Sequence, residues 1–343
     1  MRAAVLTATR QVEIQELPVP IPGPGEVLIR VKVAGICGAE LHAYIGTHPF
    51  RKPPVQMGHE MSGNVAKLGA GVKKNISVGD LVSVLPPRPC GHCPTCMEGL
   101  HNLCENKTNL GTSQWPGCFA EYITAPEDSV FKIPPHVTYE EAAIVEPLSV
   151  AVHAVRRIGT VLGGSVAILG VGTIGLACVA AAREAGAVRI AATDVADFNL
   201  AIARSYGASI TINALREDPV ASILQFTEGR GVDAVLIAAG FSSVLNQAID
   251  MVRLRGNIVN VALFDDSVSI KNPVSLIAGE KILTSSWAST AQDFQIAIAL
   301  IATGRIKVQD FITHRLPLER TKQGLEILEE RCQDCIKVLL RID

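Results

Sequence analysis

The pattern of hydrophobic positions changes near residue 138 of this chain. Before that point, short runs that alternate apolar and polar residues, such as 26–33, are interrupted by glycines and Pro-Gly pairs, which predicts an irregular β-rich region. After it, continuous apolar runs alternate with segments of helical spacing, which predicts parallel strands with both sheet faces covered by helices. The predicted fold class is therefore α/β, with a β-rich part followed by a doubly wound parallel sheet.

The predicted elements follow from where each pattern begins and ends. Thr138 and Glu141 form a capping-box pattern, which predicts a helix over 142–155 that joins the two parts. The predicted strands of the second part are 165–169, 189–194, 209–212, 232–238 and 257–264, with an apolar run at 282–287 as an extension of the sheet. The predicted helices are 174–185, 197–206, 219–227, 244–253, 293–303 and a C-terminal helix that carries Cys332 and Cys335.

A glycine-rich turn lies between the first strand and the first helix of this sheet. Gly170, Gly172 and Gly175 form a G-x-G-x-x-G pattern, which permits a tight turn, close approach of a pyrophosphate and close packing of the helix. Asp194 ends the second strand, where a carboxylate accepts from the hydroxyls of an adenosine ribose and repels a 2′-phosphate. A glycine turn beside an unrelated acid is the alternative. The residues predicted to bind NAD are Gly170, Gly172, Thr173, Ile174, Gly175 and Asp194.

Four of the nine cysteines are concentrated in one short loop. They have the spacing C-x2-C-x2-C-x7-C and are Cys90, Cys93, Cys96 and Cys104. Four thiolates match a tetrahedral structural zinc site, which leaves no position open for chemistry. An iron–sulfur cluster and four free thiols are the alternatives.

Composition and charge narrow the class of partner. The chain has 343 residues, enough for about two domains, with 48% hydrophobic residues and a formal charge of -2. This balance predicts no basic surface for nucleic acid or for an anionic membrane. The uncharged stretch 159–182 is long enough to span a bilayer, but its glycines favour a strand, a turn and a helix. Because the first residues resemble no secretory signal, we expect a cytoplasmic protein whose partners are small molecules or copies of itself.

The first part of the chain offers residues for a second metal site. Cys37 and His42 lie in the glycine-flanked segment 35–42, and His59 and Glu60 follow directly after a glycine. Cysteine and histidine in such turns are candidate zinc ligands. From the residues alone, Cys37 and His59 are equally well explained as core or capping residues, because no short spacing couples them.

Together these motifs resemble those of the zinc-dependent medium-chain alcohol dehydrogenases, in the branch of the sorbitol, butanediol and threonine dehydrogenases. The resemblance covers nearly the whole chain and is carried by GICGAELH (35–42), GHEMSG (58–63), the four-cysteine loop, PGCFAEY (116–122), EPLSVAVH (146–153), the glycine turn and THRLP (313–317). It implies that Cys37, His59 and Glu60 bind a catalytic zinc. It also implies that Glu146 lies beside the metal, directly or through water.

The resemblance further implies the domain organisation and the chemistry. A GroES-like catalytic domain is expected at 1–150 and 286–343, with a Rossmann NAD-binding domain at 151–285 between them. Such enzymes are usually cytosolic homodimers or homotetramers, and two zinc ions per chain are expected, one structural and one catalytic. Zinc with three protein ligands keeps a position for a substrate oxygen and acts as a Lewis acid. His42 is a candidate outlet for the proton of the alcohol, and an ordinary surface or core histidine is the alternative.

Two departures from the family pattern affect the expected chemistry. Where this branch usually has C-G-[ST]-D-x-H, this chain has Ala39 and Glu40, so the hydroxyl that begins the usual proton relay is missing. The region around Trp287 lacks the arginine that sorbitol dehydrogenases place near the polyol, which disfavours sorbitol itself.

The predicted function is an NAD-dependent zinc dehydrogenase that takes a hydride from a secondary alcohol of a polyol, cyclitol, sugar derivative or diol. One alternative is a threonine-type dehydrogenase of a β-hydroxy amino acid, which PGCFAEY suggests. Another is a catalytically silent protein that binds zinc and a dinucleotide.

Overall fold

Two compact units make up the structure, a computed structural model that describes residues 1–264, 267–330 and 334–343. The first unit comprises 1–146 and 290–343, and the second comprises 147–289. The boundaries expected from the sequence were residues 150 and 285. Cys332 lies outside the described residues.

The strands and helices are numbered in chain order. The strands are β1 Arg2–Ala8, β2 Gln11–Glu16, β3 Glu26–Ile36, β4 Val55–Gln56, β5 Glu60–Leu68, β6 Leu81–Val84, β7 Pro87–Arg88, β8 Thr108–Asn109, β9 Tyr122–Pro126, β10 Val130–Lys132, β11 Ser165–Leu169, β12 Arg189–Asp194, β13 Ile210–Asn213, β14 Val232–Ile237, β15 Val252–Asn260, β16 Ile282–Ser285, β17 Ile312–Pro317 and β18 Lys337–Arg341. The α-helices are α1 Gly38–Tyr44, α2 Pro94–Met97, α3 Tyr139–Ala143, α4 Val145–Ile158, α5 Thr173–Glu184, α6 Asp197–Ser205, α7 Pro219–Phe226, α8 Ser242–Met251, α9 Pro273–Ala278, α10 Ala291–Ala302 and α11 Thr321–Glu329.

A mostly antiparallel sheet organises the first unit. Its strands follow the order β10-β6-β5-β3-β18-β17, and β9 also pairs with β3. The long strand β3 is buried along most of its length and joins the main hydrophobic core of this unit. Because Val338 pairs with Ile36 and Leu339 with Gly35, the C-terminal strand lies beside the end of β3 that leads into Cys37.

The predicted C-terminal helix is wrong over Lys337–Arg341, which form strand β18. This segment is a short run with four consecutive buried residues, and periodicity alone cannot distinguish such a run from a buried helix. This segment forms a strand because it pairs with β3 on one side and β17 on the other. These pairings satisfy the hydrogen bonds of its buried backbone groups.

A six-stranded parallel sheet forms the centre of the second unit, as the sequence predicted. The strand order is β13-β12-β11-β14-β15-β16, so the order reverses between β11 and β14, next to the glycine turn that follows β11. Ligands of such sheets bind outside the carboxyl ends of the strands at this reversal. The stretch 159–182 contains β11 and most of α5. Within the described part of the chain, no helix has the length and apolar character needed to cross a bilayer.

Candidate active site and metal centres

The end of β3 and the start of α1 position the first set of site residues. Cys37 directly follows β3 and precedes the first turn of α1. The backbone N–H of Cys37 donates to the Glu40 carboxylate at 3.1 Å, which draws this side chain back over the start of the helix. Glu40 is completely buried. In the sequence, Glu40 is visible only as a departure from a family motif, whereas in the structure it is a hydrogen-bond partner of His59.

His59, in the turn directly before β5, contacts the same carboxylate. Gly58 precedes it with a φ of +97°, and a Cβ there would lie 2.4 Å from the Phe119 ring, so this turn requires a glycine. His59 Nδ1 lies 2.6 Å from Glu40 Oε1. A contact this short between nitrogen and a carboxylate oxygen requires a proton, so Nδ1 donates to Glu40. Nε2 is then the His59 nitrogen available to a metal.

Burial and charge act against each other in this pair. Burial acts to raise the pKa of Glu40, but His59 and Arg51 hold it down at about 2. Burial acts to lower the pKa of His59, but the Glu40 carboxylate and hydrogen bonds to Cys37 and Glu40 raise it well above the usual value. The carboxylate is therefore held in its charged form, as an acceptor for the imidazole N–H.

Glu60 is paired with a lysine that sequence reasoning missed. Lys337 Nζ lies 2.8 Å from both carboxylate oxygens of Glu60, and it also donates to the Ile36 carbonyl at 3.1 Å. Both side chains are almost completely buried. Burial acts to lower the pKa of Lys337, but the Glu60 charge raises it. A lysine inside the apolar run that ends the chain was the one available signal for this pair.

Glu146 adds a further buried carboxylate from the first turn of α4. Burial raises its pKa to about 7, and the neighbouring Glu60 charge acts in the same direction. Ligand atoms of His59, Glu60 and Glu146 lie within 4.8 Å of one another, and the same holds for Cys37, Glu40 and His59. A divalent cation would offset the cost of burying these acids side by side.

The chemistry of this donor set fits zinc. Cys37 offers sulfur, His59 offers nitrogen, and Glu60 and Glu146 offer oxygen, which are the ligand types of zinc in proteins. Three protein ligands with a further position left open are typical of a catalytic rather than a structural zinc site. Of the predicted ligands, His59 therefore lies near Cys37 in one group of candidate ligands and near Glu60 and Glu146 in the other.

His42 lies in the last turn of α1 and is half-buried. Its Nδ1 is 3.0 Å from the Thr47 hydroxyl oxygen. The chain lacks a hydroxyl at Ala39, but it places one beside this histidine from the loop that follows α1. Neither the composition nor the spacing of the sequence indicated Thr47.

The four cysteines of the loop converge as predicted. Cys90 and Cys96 sulfurs are 4.0 Å apart, and Cys93 and Cys104 sulfurs are 3.8 Å apart. Tetrahedral zinc with zinc–sulfur bonds of about 2.3 Å implies separations of about 3.8 Å, whereas a disulfide bond is about 2.0 Å long. Backbone N–H groups of His92 and Cys93 donate to Cys90 and lower its pKa to about 6. The cluster therefore fits a closed metal site.

The glycine turn of the second unit has the geometry that its pattern predicts. Gly170 has a φ of +85°, and a Cβ at Gly175 would lie 1.8 Å from the Gly170 carbonyl oxygen. Nothing lies within 4 Å of a Cβ built at Gly172, which leaves the start of α5 open. Backbone amides at this helix N-terminus are available to a phosphate.

Asp194 closes the turn from the end of β12. Its carboxylate accepts from the backbone N–H groups of Val171 at 2.7 Å, Val195 at 2.8 Å and Ala196 at 3.0 Å. A carboxylate has about four acceptor sites, so capacity remains for a ligand hydroxyl. The residues directly after Asp194 include no cation. In the structure, the Arg216 guanidinium lies 2.6 Å from the Asp197 carboxylate and balances its charge.

Comparison with known proteins identifies relatives of the whole chain. Residues 23–135 match the alcohol dehydrogenase GroES-like domain, and residues 173–303 match the zinc-binding dehydrogenase family. A sorbitol dehydrogenase of Bacillus subtilis is 37% identical, over 99% of this chain and 97% of its own length. An L-threonine 3-dehydrogenase of Bacillus velezensis is also 37% identical, over 95% and 94%.

Solved structures agree with these sequence matches. An Escherichia coli oxidoreductase of unknown specificity superimposes with a TM-score of 0.95 at 31% identity, covering 100% of this chain and 99% of its own. A protein described as a zinc-binding dehydrogenase from Sinorhizobium meliloti, solved with NADP bound, has a TM-score of 0.92 at 29% identity and covers 99% and 98%.

Two glycine substitutions should separate folding from dinucleotide binding. Gly175→Ala should lower the free energy of unfolding by about 1–3 kcal/mol, because its methyl group overlaps the Gly170 carbonyl oxygen. Gly172→Ala should change stability by less than about 1 kcal/mol but weaken the dinucleotide, because its methyl group occupies the approach of the pyrophosphate. Urea unfolding of the free protein and fluorescence titration with NADH measure the two effects. Equal destabilisation by both variants, or wild-type binding by Gly172→Ala, would contradict this interpretation.

Metal analysis should find two zinc ions per chain with separable roles. Cys104→Ser should lower the melting temperature, because a closed four-thiolate site stabilises the folded loop. Cys37→Ser should retain the far-ultraviolet circular dichroism of the wild type and lose one zinc ion. Cys178→Ser, in α5 of the other unit, is the matched control and should keep both ions. One zinc per chain in fully metallated, active protein would refute the assignment.

Proposed function

This chain belongs to the zinc-dependent medium-chain alcohol dehydrogenase family, and we propose that it transfers a hydride from a secondary alcohol to NAD. The substrate is proposed to be a polyol, cyclitol, sugar derivative or diol. The observation that carries the proposal is that His59 belongs to two groups of candidate metal ligands, one with the half-buried Cys37 and the other with the buried Glu60 and Glu146. The similarity to a sorbitol dehydrogenase supports the polyol class.

The residues of the first unit would hold the metal and orient the substrate. A zinc ion bound there would supply Lewis-acid chemistry to a substrate hydroxyl. Glu40 orients His59 through Nδ1, and Lys337 holds the Glu60 carboxylate. Glu146 is placed to accept a hydrogen bond from a substrate hydroxyl or to bind the metal, which suits an alcohol with more than one hydroxyl.

The proton of the alcohol leaves by a route that does not use residue 39. We propose that His42 is the outlet, with the Thr47 hydroxyl as its neighbour on the way to solvent. Thr47 is exposed and His42 is half-buried, so this pair is in contact with water. Water or the cofactor ribose would link the substrate to His42 in place of the missing hydroxyl.

A β-hydroxy amino acid is the second candidate substrate. The relative named L-threonine 3-dehydrogenase has the same 37% identity as the sorbitol dehydrogenase, but over 95% rather than 99% of this chain. The two candidates share a secondary alcohol, so the same metal chemistry serves both. They differ in the charged amino and carboxylate groups that the substrate would carry.

The proposed assembly is a homodimer or homotetramer in the cytoplasm. Strand β16 ends the strand order of the parallel sheet, and its Ile282 and Leu283 are 55% and 40% exposed. An apolar edge strand is a template for pairing with another chain, and two-fold symmetry would place the same strand opposite it. The four-thiol cluster, which must stay reduced, supports the cytoplasmic location.

A substrate panel tests the proposed function directly. Purified protein should produce NADH with at least one polyol, cyclitol, sugar alcohol or diol, and its kcat/KM should exceed that with threonine. Cys37→Ser should lower kcat/KM by more than about 100-fold, since even an outer partner of a metal ligand contributes about 10- to 100-fold. Preference for threonine would favour the second candidate. Lack of turnover with every hydroxylated compound would favour the silent zinc- and dinucleotide-binding protein.

Cofactor choice should depend on the charge of Asp194. NAD should be preferred over NADP, because the carboxylate accepts from the ribose hydroxyls and repels a 2′-phosphate. Asp194→Asn keeps an acceptor for the backbone but removes the charge, so the NAD preference should narrow by about tenfold or more, equivalent to about 1.4 kcal/mol. The measurement is kcat/KM with both cofactors, and Asp250→Asn on the exposed side of α8 is the control. Equal use of NAD and NADP by the wild type would refute this role.

The assembly should depend on the exposed edge strand. Leu283→Lys places a charge where two copies would meet, so it should shift the protein toward the monomer in analytical ultracentrifugation. Val78→Lys, at another exposed apolar position in the first unit, should leave the mass unchanged. A monomeric wild type at micromolar concentration, or an unaltered mass for Leu283→Lys, would argue against this interface.

A further inference from the structure

Arg51 is a buried charge that the proposed function has not used. It lies in the loop between α1 and β4 and is only 8% exposed. Its Nε donates to the Gly111 carbonyl at 3.1 Å, and Nη2 donates to the Leu110 carbonyl at 3.2 Å. These two bonds join the guanidinium to the segment after β8. No sequence motif singled out this residue.

The other side of the guanidinium faces the metal centre. Nη2 lies 3.3 Å from His59 Nδ1, and Nη1 lies 3.9 Å from Glu40 Oε1. Because Nδ1 already donates its proton to Glu40, the arginine does not supply a second full hydrogen bond to this nitrogen. Its contribution is a positive charge held beside the hydrogen-bonded pair.

The local turn explains how Arg51 reaches this position. His48 Nδ1 accepts from the backbone N–H groups of Phe50 and Arg51, both at 3.1 Å. This imidazole closes the turn and directs the Arg51 side chain inward, whereas the neighbouring Lys52 remains exposed. Two adjacent cations therefore differ completely in environment.

Charge compensation gives Arg51 a physical reason to be buried. A carboxylate as deeply buried as Glu40 is strongly destabilised unless cations or donors surround it. Glu40 receives the His59 N–H and the Cys37 N–H, and Arg51 supplies the nearby full charge. A planar guanidinium can contact two carbonyls and a carboxylate at once, which an ammonium cannot do in the same geometry.

We propose that Arg51 is a positioning residue of the metal centre, which acts through Glu40 to hold His59 with Nε2 available to the metal. The inference rests on the proposed function, because it concerns the same metal site. Arg51 touches no substrate or cofactor in this role. Its removal should weaken retention of the metal, because a Glu40 carboxylate without the neighbouring guanidinium charge would hold the His59 imidazole less firmly in the orientation that keeps Nε2 available.

The test measures how fast each zinc ion leaves the protein. Holoenzyme is exposed to a chelator, and zinc per chain is followed over time; the four-cysteine site serves as the internal reference. Arg51→Met should release the second zinc about 10- to 100-fold faster than wild type, which is the usual effect of losing an outer partner of a metal ligand. The rate at which Arg51→Lys loses the second zinc should lie between the rates of the wild type and Arg51→Met. Lys52→Met should lose it at the wild-type rate.

A double-mutant cycle tests whether the effect passes through Glu40. Glu40→Gln should accelerate loss of the second zinc by a similar factor, and the combination Arg51→Met with Glu40→Gln should be no worse than either alone. Cobalt substitution gives an independent readout, because the visible spectrum at the second site should change in Arg51→Met and recover in part in Arg51→Lys. Retention of the four-cysteine metal and of the circular dichroism shows that each variant is folded.

The possible outcomes separate this inference from the proposed function. A wild type with only one zinc per chain would overturn both. A wild type with two zinc ions whose second ion leaves at the same rate in Arg51→Met would overturn the inference alone. Effects of Arg51→Met and Glu40→Gln that multiply in the double variant would also overturn it, because the arginine would then act independently of Glu40.

Discussion

The cost of burying carboxylates is the constraint on which the first unit depends. Glu40, Glu60 and Glu146 are all buried near Cys37 and His59, and a buried charge is tolerated only when it is paired. Lys337 meets Glu60, whereas Arg51 and His59 meet Glu40. These pairs join distant parts of the chain. They link the loop after α1, the start of β5 and the C-terminal strand β18.

The two candidate metal centres differ in how their proposed ligands are assembled. The four cysteines come from one loop and are held at metal-binding separations by the chain itself. The other candidate centre takes Cys37 from the residue after β3, His59 from the turn before β5, Glu60 from the first position of β5, and Glu146 from α4. A site built from several elements requires the whole unit to fold first. This difference suits a structural role for the first centre and a reactive role for the second.

The surroundings of the reactive centre distinguish this chain from the pattern of its family. Glu40 replaces the usual aspartate and Ala39 replaces the usual hydroxyl, yet the structure gives each change a local counterpart. Glu40 is buried against Arg51 and His59, and Thr47 places a hydroxyl beside His42. Sequence identity does not choose the substrate, since a sorbitol and a threonine dehydrogenase are both 37% identical to this chain. Substrate choice depends on side chains that line the site rather than on the fold.

The sequence by itself determined the features that are local in the chain. The parallel sheet, the glycine turn and the four-cysteine loop are each encoded within short segments, because turn geometry, strand patterning and ligand spacing act between near neighbours. The resemblance to a family, rather than spacing, brought Cys37, His59, Glu60 and Glu146 into one predicted site. Only the tertiary structure decided that Lys337 lies in a strand and pairs with Glu60, and that Arg51 is buried while Lys52 is exposed. These contacts join residues far apart in the sequence, and the burial that makes their charges matter exists only after the chain has folded.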